Sequence, residues 1–317
     1  MNDVIELILK ADKVAIIAHE DEDADSVGSC FAMKSALLQL GKQARCYFSA
    51  PIETHLAFMG DDYTVFDEDE KIEADLCICL DCGDIKRLGK RVKIFESAEN
   101  TLSIDHHETN TLFADVNFVD AKAAATAEIL YGIFSEMGIE INKDIAKNLY
   151  AAISADTGSF KYSNVTPKTM SIASKLIEKG IDHAGISRLL HDTDLIGAIR
   201  CKAEIMQNIE SYFGGKLTIV TASDALFEKY GITERDSGDI VNIARAVSGC
   251  EIAVSIRETG EKIKISFRSN GEMSVSQIAQ KFGGGGHAKA AGAKVTGKSI
   301  EQVKSDVIAV FEEILND

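Results

Sequence analysis

Four short clusters of acid and imidazole carry most of the chemistry in this 317-residue chain. His19, Asp23 and Asp25 share the run HEDEDAD, Asp81 stands in LDCGD, Asp105, His106 and His107 are consecutive, and Asp156 opens DTGSF. Mixed carboxylate and imidazole donors suit hard or borderline dications such as Mn²⁺ or Mg²⁺. Each cluster also has an ordinary reading. Asp23, Asp25 and Ser26 suit a helix N-cap, Asp81 a turn, the triplet a polar loop and Asp156 a helix end. Together they say more, because Asp23, Asp25, Asp81 and Asp156 bring four negative charges that two divalent ions would balance. Two metals about 3.5–4 Å apart clamp the attacking and leaving oxygens of a phosphoryl displacement and activate water. The expected chemistry is hydrolysis of a phosphate ester. Adjacent histidines point in different directions, so one of His106 and His107 can bind metal while the other faces a substrate phosphate.

A fifth cluster lies near the C-terminus, where Gly283–Gly286 is followed by His287 and Lys289, with Arg268 on a preceding strand. Glycines let backbone N–H groups approach an anion closely, and a guanidinium can grip phosphate with two donors. A flexible turn is the alternative reading; the neighbouring Arg268 and His287 favour ligand binding.

The elements that must position these residues are legible as alternating apolar runs and helical patterns. Strands are expected at 13–18 before His19, 44–48, 75–80 before Asp81, and 101–104 before Asp105. Helices are expected from about Ser26, over 122–137, and over 142–154 before Asp156. Continuous apolar strands alternating with helices indicate an α/β fold whose N-terminal sheet is largely parallel, with ligands at the strands' carboxyl ends. A smaller α/β domain follows, with strands at 216–221, 251–257, 262–268 and 290–295, helices near 222–230, 236–247 and 274–281, and an amphipathic helix at 299–315. The expected organisation is a catalytic domain over 1–190, a helical connector over 191–208 and a substrate-binding domain over 209–317.

Composition narrows the function classes. With 45% hydrophobic residues and two prolines, both domains should be globular. No apolar run approaches the roughly 20 residues needed to span a bilayer, and the N-terminus lacks a signal peptide's basic region. Seven cysteines without framework spacing suggest reduced thiols and a cytoplasmic protein. Cys77, Cys79 and Cys82 read as small buried hydrophobes rather than a zinc site. A net charge of −16 argues against gripping a long nucleic-acid duplex, although a short nucleotide remains a suitable substrate. No membrane partner is expected, and a homodimer is allowed but not required.

In chain order the motifs are HxxxDxD, a strand-end Asp, DHH, DTG and RS…GGGGHxxAAG. As an ordered set they resemble the DHH phosphoesterase superfamily, in the branch that pairs a DHH domain with a GGGH-type DHH-associated domain. Within it the chain is most similar to the nano-RNase/pAp-phosphatase and cyclic-dinucleotide phosphodiesterase group. The resemblance implies that His19 and Asp23 hold one metal, that Asp25, His106 and Asp156 hold the other, and that Asp81 bridges them. It implies that His107 contacts the substrate phosphate and that Asp105 fixes the histidines. Arg268, Gly284, Gly285, Gly286 and His287 would hold the nucleotide across an interdomain cleft. The implied cofactor is a pair of Mn²⁺ ions, with Mg²⁺ allowed. The implied substrates are oligoribonucleotides of two to five residues, pAp, or linear or cyclic dinucleotides. Alternatives are an inorganic pyrophosphatase, a RecJ-like single-strand exonuclease, or a non-catalytic nucleotide sensor. One departure stands out: Glu22 and Ala24 replace the proline and glycine common in the family's first motif. Glu22 lacks proline's fixed φ and adds charge beside the site.

Overall fold

The computed structural model describes residues 1–316. It forms two compact units, residues 1–193 and residues 194 onward. The first unit runs α1 (Asn2–Lys10), β1 (Lys13–Ile17), α2 (Ala24–Gln39), β2 (Gln43–Phe48), β3 (Thr64–Val65), β4 (Leu76–Leu80), α3 (Val92–Ser97), β5 (Asn100–Asp105), β6 (Val116–Val119), α4 (Thr126–Glu136), α5 (Lys143–Asp156), α6 (Pro167–Ile177) and α7 (His183–His191). Its sheet is parallel throughout, in the order β3-β2-β1-β4-β5-β6. The order reverses between β1 and β4, and such a switch point opens a crevice at the strands' carboxyl ends. The short strands β3 and β6 were not expected from the sequence, because so few residues carry no periodic signal.

β4 shows why the strand sequences read as unbroken apolar runs. Leu76, Ile78 and Leu80 point into the larger core with α2, α4 and α5, whereas Cys77 and Cys79 join Leu88, Ile94 and Phe95 on the other face. Both faces are covered, so every residue of LCICL is buried, and the cysteines fill space as small hydrophobes. On the first face α2 packs against α5 so closely that a Cβ at Gly28 would lie 2.7 Å from the backbone oxygen of Asn148. That contact fixes the two helices whose ends carry Asp23 and Asp156.

The second unit comprises α8 (Ile196–Gln207), β7 (Glu210–Tyr212), β8 (Leu217–Ala222), α9 (Asp224–Tyr230), α10 (Val241–Arg245), β9 (Ile252–Thr259), β10 (Lys262–Ser269), α11 (Val275–Lys281), β11 (Gly285–Gly286), β12 (Ala290–Thr296) and α12 (Ile300–Asn316). Its sheet order is β11-β12-β10-β9-β8-β7, with β8 and β9 parallel and the other pairs antiparallel. α11 and α12 cover one face through Val275, Ile278, Val303, Val307 and Phe311. The other face is covered partly by α8, whose Cys201 and Ile205 are buried with Val220 and Phe227. The helical stretch around 196–207 is therefore part of the second unit's core. No helix among the described residues is long and apolar enough to cross a membrane.

Candidate metal centre

Parallel strands place their carboxyl ends on one edge of the sheet, and the acid and imidazole clusters gather there. His19 follows β1, Asp81 follows β4 directly, and Asp105 ends β5 with His106 and His107 beyond it. Asp156 is the last residue of α5, slightly beyond the end expected from the sequence. A left-handed turn stops α5 there, with φ of 55° at Gly158, 60° at Ser159 and 61° at Phe160. A Cβ at Gly158 would also lie 2.2 Å from the Tyr162 ring, so the DTG glycine is required twice over.

Among the described residues the donors fall into three groups, two of which share Asp81. His19, Asp23 and Asp81 form one group and Asp81, His106 and His107 another, while Asp25, His106 and Asp156 form a third; within each, one donor atom per residue lies within 4.8 Å of the others. His19 Nε2 is 3.6 Å from Asp23 Oδ2 and 3.5 Å from Asp81 Oδ2. His106 Nε2 is 3.6 Å from Asp81 Oδ1 and 3.3 Å from Asp156 Oδ2. These separations are long for hydrogen bonds. They match donor atoms about 2.1 Å from a six-coordinate ion, which stand about 3–4 Å apart.

Neighbouring groups aim each donor. α2 begins at Ala24 rather than near Ser26, because Asp23 caps it: Oδ1 accepts from the Ser26 backbone at 3.0 Å while Oδ2 faces His19. The capping and ligand readings of Asp23 are thus compatible, one oxygen for each. Asp25 is wholly buried at the N-terminus of α4, accepting from the Thr126 backbone at 2.7 Å and the Ala127 backbone at 3.1 Å. Asp81 has φ of 56°, a left-handed conformation that aspartate tolerates better than most side chains. It also accepts from the Thr126 hydroxyl at 3.1 Å.

The two histidines of the triplet are held differently. His106 Nδ1 lies 3.3 Å from the Ala123 carbonyl oxygen, an arrangement that puts the proton on Nδ1 and leaves Nε2 as the donor facing Asp81 and Asp156. His107 Nδ1 is instead 2.7 Å from Asp105 Oδ1, so its nearest carboxylate is Asp105 rather than Asp81, at 3.8 Å. Asp105 is fully buried and its other oxygen accepts from Asn110 at 2.7 Å.

Electrostatics test whether a cation fits. Burial, and then the charges of Asp81 and Asp23, push the Asp25 carboxyl well above the usual carboxylate range. Asp156 is raised by burial and by Asp25, Asp23 and Asp81. Burial opposes charging of His19, but Asp23 and Asp81 outweigh it and carry its pKa up to about 10. His19 Nδ1 is also buried without a hydrogen-bond partner among the described residues. Mutually repelling buried carboxylates beside a histidine drawn toward positive charge form a donor set that divalent cations would neutralise. The residues fit a two-metal site.

Thr126 and Ala123 escaped the sequence reading because each acts through a contact between distant segments, whereas Asn110 reaches Asp105 from five positions along the chain but belongs to no motif. Asn164 escaped it too; its amide donates to the backbone oxygens of Ala124 and Asp156, both at 3.1 Å. His191 Nε2 lies 3.0 Å from the Ser154 hydroxyl on α5.

In the second unit β11 folds back on β12, pairing Gly285 with Gly292 and Gly286 with Ala291. A Cβ at Gly284 would meet the Gly292 oxygen at 2.0 Å, and one at Gly286 would meet the Ala290 oxygen at 2.6 Å. These two glycines are needed for strand approach, a demand the sequence reading did not separate from anion binding. His287 closes the turn, its N–H donating to Ala290 at 2.7 Å. Arg268 lies opposite Ala290 on β10 and pairs with Asp239 at 2.7 Å.

Known proteins share the sequence and the fold over nearly the whole chain. Residues 13–153 match the DHH family N-terminal domain, and residues 214–317 match the DHHA1 domain. The chain is 34% identical over 304 residues to the bifunctional oligoribonuclease and PAP phosphatase NrnA of Thermus thermophilus, covering 95% of this chain and 90% of that protein. It is 27% identical to the protein of the same name from Bacillus subtilis, covering 92% of each. An exopolyphosphatase-related protein from Bacteroides fragilis has a similar structure, with a TM-score of 0.91 at 26% identity, covering all of this chain and 97% of that one.

Proposed function

The chain belongs to the DHH family of phosphoesterases, and from that membership we propose that it hydrolyses short nucleotides at the carboxyl edge of its first sheet. The observation that carries the reading is the sharing of Asp81 between two donor groups, one with His19 and Asp23 and the other with His106 and His107. His19 and Asp23 would hold one cation, Asp25, His106 and Asp156 the second, and Asp81 both; Mn²⁺ suits this carboxylate and imidazole mixture. When bound, such a pair supplies charge balance for phosphoryl oxygens and a lowered pKa for an attacking water.

The chain's own groups then do the rest. Burial works against charge on His107, but the bond to Asp105 outweighs it and raises the pKa above the ordinary histidine value. His107, its ring held by Asp105 at 2.7 Å, is proposed to donate to the substrate phosphate. Arg268, Gly284, Gly285, Gly286 and His287 are proposed to recognise the nucleotide. Di- to pentanucleotides and pAp are the proposed substrates, a choice supported by the names of the full-length relatives. The low proportion of basic residues, 34 Lys and Arg against 50 Asp and Glu, supports short over long nucleic acids.

The test is a panel of pAp, pApA, cyclic di-AMP, RNAs of 5 and 24 nucleotides and pyrophosphate, assayed with Mn²⁺. Release of phosphate from pAp or mononucleotides from the short RNAs is the expected result. Preference for the 24-mer or for pyrophosphate would favour the exonuclease or pyrophosphatase, and tight binding without turnover would favour a sensor.

A further inference from the structure

Glu22 lies between His19 and Asp23 but belongs to none of the donor groups among the described residues. Its carboxylate is engaged elsewhere. Oε1 accepts from Arg91 Nη1 at 2.6 Å and from the Ser49 backbone at 2.6 Å, and Oε2 lies 2.7 Å from the Ser49 hydroxyl. Arg91 is only 1% exposed. Its Nη1 also donates to the Tyr47 carbonyl at 3.2 Å, while Nε and Nη2 have no partner in the described structure. Glu22 thus supplies a carboxylate to the buried Arg91 guanidinium, at 2.6 Å.

A buried guanidinium deprived of its counter-charge is costly, so this pair holds together strongly. Its anchor points are fixed: Tyr47 lies near the end of β2, Ser49 follows that strand directly, and Arg91 immediately precedes α3. The loop between β1 and α2 is thereby tied at Glu22, next to the residue whose oxygens cap α2 and face His19. Proline would limit the loop by fixing φ; here an ion pair limits it from outside.

We propose that Glu22 is a positioning residue, tethered by Arg91 and Ser49, that fixes the loop so that His19 and Asp23 converge on one cation. The proposal rests on the metal-site reading above. Its role is to shape the site rather than to touch substrate.

The test measures Mn²⁺ affinity by calorimetry, and thermal melting, on the full chain and two variants. In E22L/R91M an apolar pair replaces the ions, which buried sites commonly tolerate. It should melt within a few degrees of the parent yet bind one of the two ions about ten- to a hundredfold more weakly, the usual cost of losing a ligand's support. E22D keeps the charge opposite Arg91 with a shorter reach and should show a smaller loss in the same step at unchanged melting temperature. Should the double variant fail to fold, E22D decides alone. Parental affinity in the folded variants overturns the proposal while leaving the metal site standing. A parent that binds no Mn²⁺ overturns the metal-site reading and this role with it.

Discussion

Nδ1 of His107 lies 2.7 Å from Oδ1 of Asp105, a fully buried carboxylate whose other oxygen is taken by Asn110. The pair fixes the ring's orientation and keeps a proton on Nδ1. Asparagine at 105 has nearly the same shape but lacks the charge that orients the imidazole. Asp105→Asn should therefore lower kcat about a hundredfold, within the range for a positioned acid or base. Mn²⁺ stoichiometry should not change, since His107 is not counted among the ligands. Steady-state kinetics beside metal titration check this, and parental kcat would refute the assignment.

Asp81 joins more than one donor group from a left-handed conformation, with φ of 56°. Asparagine also tolerates that conformation. Asp81→Asn should thus preserve the backbone while removing the shared charge. The expected outcome is activity reduced at least a thousandfold, with weakened binding at both metal steps in the same titration. Loss at one step alone would show that Asp81 serves a single ion.

Stability without metal should depend on pH in a definite direction. Asp25 and Asp156 have folded-state pKa values raised above the ordinary carboxylate value. The unfolded chain therefore gives up these protons first as pH rises, and stability falls above about pH 4. His19, raised to about 10, contributes stability that is complete below about pH 6.5 and lost as pH rises toward 10. Both effects run the same way. Protein stripped with a chelator should melt lower at pH 8 than at pH 5.5, and Mn²⁺ should raise Tm more at pH 8. Scanning fluorimetry at the two pH values reads both effects.

The glycine run can be divided by substitution. Gly284→Ala drives a Cβ into the Gly292 oxygen at 2.0 Å and should cost about 1–3 kcal/mol, as overpacking does. A Cβ at Gly285 meets nothing within 4 Å, so Gly285→Ala should change stability by less than about 0.5 kcal/mol. Urea denaturation of the two variants measures the contrast. A raised KM for the nucleotide in Gly285→Ala alone would mark that backbone as a ligand contact.

The candidate donors were legible because chemistry restricts them: His19, Asp23, Asp25, Asp81, His106 and Asp156 follow apolar runs whose periodicity announces strands and helices. Once those runs form a parallel sheet, their carboxyl ends must share an edge, so the clusters could be expected to meet. The capping of α2 by Asp23 was likewise local, readable from Ser26 three positions on. Short strands such as β3 and β7 were not legible, since two or three residues have no period to detect.

By itself, then, the sequence determined the candidate donors, their order and the α/β class, all properties of residue type and local spacing. Only the tertiary structure decided which groups aim those donors. Asp25 meets Thr126 across 101 positions, and Glu22 meets Arg91 across 69. Such contacts depend on strand order and on where each helix enters the sheet, and no local pattern encodes them. Glu22 makes the difference plain: in sequence it is an extra charge beside a metal motif, and in the fold that charge is spent on a buried guanidinium.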